Sequence, residues 1–282
     1  MRIHGHLNSG IGWSPATLLA GKATPVAHEE AILEERAVSI VINGQPYAVM
    51  MVTPEHLEDF FHGFLWSEGI IQHLQDISAW ELVAQNAETS AIYLQLSAEA
   101  AERARHKGRQ IIGGSACGLC GTPVFDGLIP FAPLENHYAT TPQAIHRIMR
   151  QMREQQRLNR STGTAHAAIL DSHQGSLVRE DIGRHNAVDK SIGAALQQGL
   201  RPGQVQVLGI SSRLSFEIVL KALGFGIPVI AAISGVSSMA IQLAQSHGIT
   251  LIGYTRDDRM TLYAHAERVQ EESGITLSSL DQ

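Results

Sequence analysis

The chain has 282 residues, 44% of them hydrophobic, with 21 Lys and Arg against 27 Asp and Glu and a formal net charge of −6. That length supports two compact domains, or one large one, with a substantial core, and the acidic balance excludes a broad basic surface for duplex nucleic acid. No apolar run is long enough to span a bilayer, Met1 to Glu30 shows no secretory pattern, and there are only two cysteines, so a cytoplasmic, reducing compartment is expected.

Met1 to Ala27 carries no strong period and reads as a loosely held arm. Arg36 to Ile42 and Gln45 to Val52 read as strands joined by Asn43-Gly44, a pair that accepts the positive φ of a tight hairpin. Thr53-Pro54 reads as a helix start, with threonine as cap and proline where no amide bond is needed. Leu57, Phe60, Phe61, Phe64 and Leu65 then fall on one helical face, and Gly69 ends the helix. Strands are expected at Ile77 to Val83 and Ala91 to Leu96, followed by an Ala-rich helix from Ser97 to about Arg105. Next comes the Gly-rich stretch Gly113 to Gly121, which holds both cysteines, Cys117 and Cys120.

Thr141-Pro142 caps another helix, with Ile145, Ile148, Met149 and Met152 on one face and an end near Asn159. Ala165 to Leu170 and Ser176 to Arg179 read as strands, and Gly183 to Leu196 as a helix ended by Gly199. From there the rhythm is regular. Apolar runs Val205 to Ile210, Pro228 to Ile233 and Ile249 to Tyr254 alternate with helices Phe216 to Leu223 and Met239 to Ser246. Such a β-α-β-α-β order implies parallel strands with right-handed crossovers. Ligands in such sheets sit at the carboxyl ends of the strands.

Those ends carry three polar loops. Ser211, Ser212, Arg213 and Ser215 follow the first strand; Ser234, Ser237 and Ser238 follow the second; Thr255, Arg256, Asp257, Asp258 and Arg259 follow the third. Helix N-termini attract anions, and Arg213, Arg256 and Arg259 add guanidinium forks suited to phosphate. For one loop alone, capping serines and solvated arginines are the better reading. Three successive loops on one edge favour a nucleotide or other polyphosphate, and the absence of GxxxxGK[ST] excludes a P-loop.

The densest polar stretch is Arg179-Glu180-Asp181-Ile182-Gly183-Arg184-His185-Asn186-Ala187-Val188-Asp189-Lys190. His185 and Asp189 are one helical turn apart, a spacing that permits a hydrogen bond and a more basic imidazole. The alternative is a charged helix start, which accounts for Glu180 and Asp181 better than for the crowded Arg184 and His185. His166 stands at the mouth of an apolar strand, where a satisfied structural histidine is the ordinary reading.

The CxxC supports three chemistries. A metal site lacks a second pair of cysteines and needs two histidines to complete it. A thioredoxin-like pair belongs at a helix start, which these glycines disfavour. A sulfur carrier needs a nucleophilic thiolate on a segment able to meet both a donor and an acceptor. From the cysteines alone all three stay open.

The stretches Gly114 to Gly121, Thr162 to Ala168 and Arg179 to Lys190, in this order, resemble the FdhD/NarQ formate dehydrogenase accessory sulfurtransferases. Thr53-Pro54, Gly63-Phe64-Leu65, Glu68 to Ile71, Ser211 to Ser215, Gly226-Ile227-Pro228 and Gly253-Tyr254 extend the likeness over about Glu34 to Tyr263. The resemblance implies a sulfur carrier that takes sulfane sulfur from a cysteine desulfurase as a persulfide. It would pass that sulfur to the molybdenum cofactor in its bis-guanine-dinucleotide form, for formate dehydrogenase. It implies Cys117 as the persulfide-bearing residue with Cys120 as its partner, and Tyr254 to Arg259 as the cofactor-binding segment. Ser211, Ser212, Arg213, Ser234 and His185 are the further candidates around that cofactor. A homodimer is implied, and no structural metal, nucleic acid or membrane partner is expected.

The implied fold is α/β. It has an arm (1–27), a small N-terminal α+β domain (28–107), the Gly-rich CxxC loop (108–133) and a C-terminal cytidine-deaminase-like three-layer domain with parallel strands (134–282). Deamination itself is excluded, because Thr164-Ala165-His166-Ala167 lacks the glutamate of His-x-Glu and no Pro-Cys-x-x-Cys follows. Two further readings remain, a cofactor-binding chaperone without catalysis and a zinc-bound regulator.

Overall fold

The structure is a computed structural model that describes residues 2–4, 9–19, 21, 24–111, 131–135, 138–256 and 258–271. The whole Gly-rich stretch from Gly113 to Gly121, with Cys117 and Cys120, lies outside the described residues, as does Asp257. The elements in chain order are β1 (Arg2–His4), β2 (Ile11–Leu18), β3 (Val26–Leu33), β4 (Arg36–Ile42), β5 (Gln45–Val52), α1 (Leu57–Ser67), β6 (Ile77–Ala84), β7 (Thr89–Leu96) and α2 (Ala98–Ile111). There follow α3 (Pro142–Gln155), α4 (Arg157–Thr162), β8 (His166–Ser172), β9 (Gly175–Asp181), α5 (Arg184–Gln197), β10 (Val205–Ile210), α6 (Phe216–Gly224), β11 (Val229–Ala232), α7 (Ser238–Ser246), β12 (Thr250–Arg256) and β13 (Arg259–Ala264).

The first sheet has the order β1-β6-β7-β4-β5. One face buries Val38, Ile40, Leu82, Ile92 and Leu94 against Phe60, Phe61, Phe64 and Leu65 of α1, the apolar face that the helical spacing predicts. Each such side chain removed from water contributes about 1.5–3 kcal/mol. The stretch expected to be an arm differs from that expectation. Ile11 to Leu18 is a full strand, paired antiparallel with Val26 to Leu33 from Ile11↔Leu33 to Leu18↔Val26. Most of this ribbon is exposed, so it carries no apolar alternation for a sequence reading to detect.

The second sheet has the order β13-β12-β11-β10-β8-β9. β10, β11 and β12 are parallel neighbours, as the βαβ rhythm predicts. β8 runs antiparallel to β10 and β9 antiparallel to β8. On one face α3 buries Ile145, Ile148, Met149 and Met152 against Ala167, Ile169, Val207 and Ile252. The other face is covered by α5, α6 and α7 through Ala187, Val188, Ile192, Ile218, Val219, Ala240 and Leu243. Thr141 caps α3, its Oγ1 accepting from the Ala144 amide at 3.2 Å. The expected single helix to Asn159 is instead α3 and α4, separated at Gln156, whose ψ of 81° is not helical.

The two sheets are joined by α1 crossing α5. Gly63 and Gly193 sit at the crossing: a methyl on Gly63 would run into the carbonyl oxygen of Asp189, and one on Gly193 into that of Asp59. Only glycine lets two helix backbones come this close. Trp66 adds a bond from its indole nitrogen to the Gly224 carbonyl, at 3.3 Å.

Thr53 belongs to this junction and is not the cap that Thr53-Pro54 predicts. The residue preceding α1 is His56, in the left-handed region at φ 55°. Thr53 is buried; its amide donates to Asp181 Oδ2 (3.1 Å), its Oγ1 accepts from the Ile182 amide (3.0 Å) and its carbonyl accepts from Lys190 Nζ (2.9 Å). Tertiary partners have taken every polar group that the cap reading assigned locally.

Candidate functional site

The dense Arg179 to Lys190 stretch divides into two sets of residues with opposite circumstances. One set faces inward. Arg179 Nε donates to Asp59 Oδ2 at 2.6 Å. Glu180 accepts from the amides of Leu158 (2.7 Å) and Asn159 (2.8 Å), which satisfies the start of α4. Asp181 and Lys190 form a 2.7 Å ion pair with both side chains at 0% exposure. Asp181 Oδ1 also accepts from the Gly183 amide (2.8 Å) and Asn186 Nδ2 (2.9 Å), and the same Nδ2 donates to the Met51 carbonyl (2.8 Å). Burial pulls the Lys190 ammonium down, and the Asp181 charge opposes that shift. These groups shape the Asp181–Gly183 turn and fix where α5 begins.

The other set, Arg184 and His185, opens α5 at the carboxyl edge of the second sheet. The topology brings much else to that edge. β8 runs against β10 with Ala168 opposite Ile210, so His166 lies beside the ends of the parallel strands. The loop after β10 and the loop after β11 are stitched together: the Leu214 amide donates to Gly235 O (2.9 Å) and the Ser237 amide to Leu214 O (3.0 Å). The Tyr254 amide donates to Ser234 O at 3.1 Å, which brings in the end of β12. Three helix N-termini, those of α5, α6 and α7, therefore face one edge. From β12 to β8 the edge crosses three strand spacings, about 14 Å.

Individual candidates fare differently. Ser211 is occupied by the fold, its Oγ accepting from the Ala167 amide at 2.9 Å. Ser212 is buried and its Oγ donates to the Arg213 carbonyl at 3.0 Å. Ser237 is an ordinary cap for α7, accepting from the Ala240 amide at 3.3 Å. Ser234 is half-buried and contributes its carbonyl to Tyr254. Arg213 is exposed at the edge.

The expected third loop is mostly strand. β12 continues to Arg256, which pairs with Arg259 across a tight turn holding the exposed Asp258. The strand β13 that follows is half-exposed, with Leu262 turned to solvent, and the sequence reading did not predict it. Tyr254 is left-handed at φ 51°, a rare state for an aromatic residue. Its hydroxyl lies against Gly235, close enough that a Cβ there would be 2.8 Å away. Arg256 and Arg259 are exposed, whereas Thr255 is fully buried.

The expected His185–Asp189 pairing is not formed. Asp189 is buried and binds Lys221 Nζ at 2.7 Å through Oδ1. His185 Nε2 instead stands 4.0 Å from Glu217 Oε2. The imidazole is made less basic, the reverse of the expectation. Burial, then Lys221 and Arg184, push it down to about 4, with Glu217 opposing. The one-turn spacing on α5 was sound; a lysine from α6 outcompetes the histidine for the carboxylate. Burial also lowers His166, helped by Arg184 and Arg213 and opposed by Asp181.

Among the described residues, three buried polar atoms at this edge have no hydrogen-bond partner, Arg184 Nε, His185 Nε2 and Thr255 Oγ1, while the Ser215 side chain bonds Glu217. Leaving such atoms unpaired costs on the order of 1–3 kcal/mol each. Unpaired donors, three helix N-termini and clustered guanidinium groups make a surface suited to an anion. From sequence, His166 reads as a structural histidine and Arg184 only as part of a crowded helix start, so neither was placed at the anion site. What draws them in is the antiparallel placement of β8, which no local pattern announces.

Comparison with known proteins agrees with this architecture. The family model described as the FdhD/NarQ family matches residues 33–270. The sulfur carrier protein FdhD of Bordetella bronchiseptica is 35% identical over 252 residues, covering 88% of this chain and 91% of that one. The sulfur carrier protein FdhD of Xanthomonas axonopodis pv. citri is 37% identical over 244 residues, covering 86% of each. A crystal structure from Desulfotalea psychrophila, provisionally described as a formate dehydrogenase accessory protein, superimposes with a TM-score of 0.71. It covers 92% of this chain and 99% of that one at 24% identity, a likeness that speaks to fold alone. By the extent of the family match and the identity to these relatives, the chain belongs to the FdhD/NarQ family.

Proposed function

We propose that this protein is a sulfur carrier for formate dehydrogenase that takes sulfane sulfur from a cysteine desulfurase and delivers it to the guanine-dinucleotide form of the molybdenum cofactor. Supporting the first part are the relatives named as sulfur carrier proteins. Supporting the second is the sheet edge, where unpartnered donors at Arg184 and His185 lie beside three helix N-termini. That edge is the observation that carries the reading, because it suits the phosphates of a dinucleotide. Tyr254, Thr255, Arg256 and Arg259 would flank the same ligand from β12 and β13, with Asp258 at the turn; Asp257 is proposed from the sequence alone.

Cys117 is the proposed carrier. Its thiolate attacks the outer sulfur of the donor's persulfide, the donor's S–S bond breaks, and the donor leaves as a thiolate. Sulfur is passed on at unchanged oxidation level, so this step needs no oxidant. Cys120 is the proposed partner thiol. A cytoplasmic, dimeric protein with a deaminase-like C-terminal layer order completes the reading.

The test is intact mass after incubation with a cysteine desulfurase and cysteine. The expected result is a gain of one sulfur that is lost in Cys117→Ala. No gain in the wild type, or an undiminished gain in the Cys117→Ala, Cys120→Ala double variant, would sink the proposal.

A further inference from the structure

His166, Arg184 and His185 meet at the edge from two elements. His166 opens β8 and shares a sheet face with Ala168, the face covered by α5 and α6. Arg184 and His185 form the first turn of α5. Arg213 stands on the β10–α6 loop, and Glu217 and Lys221 face His185 from α6. Asp181 approaches His166 from β9, but its carboxylate is engaged by Lys190, Gly183, Asn186 and Thr53. Around His166 the cations Arg184 and Arg213 face no free carboxylate, and around His185 Arg184 stands against Glu217, with Lys221 engaged by Asp189. Arg184 Nε and His185 Nε2 are buried without partners among the described residues.

In the free protein burial, and after it the neighbouring cations, lowers both imidazoles, His185 to about 4. A bound phosphate group reverses the local field. It offers the unpartnered nitrogens an acceptor and favours the charged ring. We infer that His166, Arg184 and His185 form the phosphate-gripping part of the edge, and that binding of a diphosphate is coupled to proton uptake by the two histidines. This inference rests on the reading of the edge as a guanine-dinucleotide site, and it adds two residues, His166 and Arg184, to that site.

The sign follows from linkage. The complex holds more protons than the free protein at any pH between the free and bound titration points. Affinity therefore rises as pH falls through that window, by at most about tenfold per pH unit for each proton taken up.

Titration calorimetry of the full chain with guanosine diphosphate tests it, run near neutral pH and about one unit below in buffers of different protonation enthalpy. The terminal phosphate of the free nucleotide titrates in the same range and contributes equally to every titration, and a thiophosphate analogue of lower phosphate pKa, run in parallel, separates the bound phosphate's protons from those of the imidazoles. Expected are a larger proton uptake in the wild type than in His166→Gln or His185→Gln, and a roughly tenfold weaker affinity in Arg184→Gln. Circular dichroism establishes which variants fold, and Arg184→Lys, retaining charge, should recover part of the affinity and keep the proton uptake. Binding with the same proton count in the wild type and both histidine variants overturns this inference while leaving the site reading intact. No binding of the nucleotide overturns the site reading and the inference with it.

Discussion

The junction between the sheets and the carboxyl edge of the second sheet are built from the same dozen residues, Arg179 to Lys190, yet they are opposites. At the junction the polar groups are saturated. Asp181 accepts four bonds, and Thr53 uses its amide, hydroxyl and carbonyl. At the edge, a few residues away, Arg184 Nε and His185 Nε2 are buried and unpartnered among the described residues. A fully satisfied buried network specifies one geometry. An unsatisfied one carries a standing cost that a ligand can relieve. The contrast separates the saturated scaffold from the unsaturated edge, the proposed reception surface, within one motif, which residue types alone do not do.

The comparison can be broken in three places. The largest effect is expected at the saturated side. Lys190→Met leaves the Asp181 carboxylate buried without its cation and should cost about 4 kcal/mol in urea unfolding. Asp181→Asn added to it should return part of that loss; a loss below about 1 kcal/mol for the single change would show that the pair does not hold the junction. Next is the backbone crossing, where Gly193→Ala should cost about 3 kcal/mol because the methyl meets the Asp59 carbonyl. A Tm equal to the wild type would contradict the close approach. The smallest effect lies on the unsaturated side and has the opposite sign. Thr255→Val removes an unpartnered buried hydroxyl and should stabilise the free protein by about 1 kcal/mol. Destabilisation of similar size would mean that the hydroxyl has a partner after all.

The parallel core was legible because its strands are short, mostly apolar and separated by helices. Val205 to Ile210 and Val229 to Ala232 are buried almost without exception, so composition alone marks them. β2, β3 and β13 escaped because they are half-exposed ribbons whose pairing, not whose side-chain pattern, makes them strands. The edge was legible to the extent that β-α-β order predicts which loops share it. What each side chain does there was not, because partners come from far along the chain. Asp59 reaches Arg179, Thr53 reaches Asp181, and Lys221 takes Asp189 from His185. A motif read on one helix shows who can be neighbours, and the competition among distant partners decides who is bonded.

The glycine pair at the α1–α5 crossing also bears on how cargo is handed over. Two helices in backbone contact leave no side-chain cushion to compress or slide, so the crossing acts as a fixed joint. A partner that grips the first sheet then meets the carboxyl edge at one set bearing, since α5 carries that edge on its own first turn. The crossing would thus serve as a jig for any partner that docked on the first sheet, holding it in line with the edge of the second.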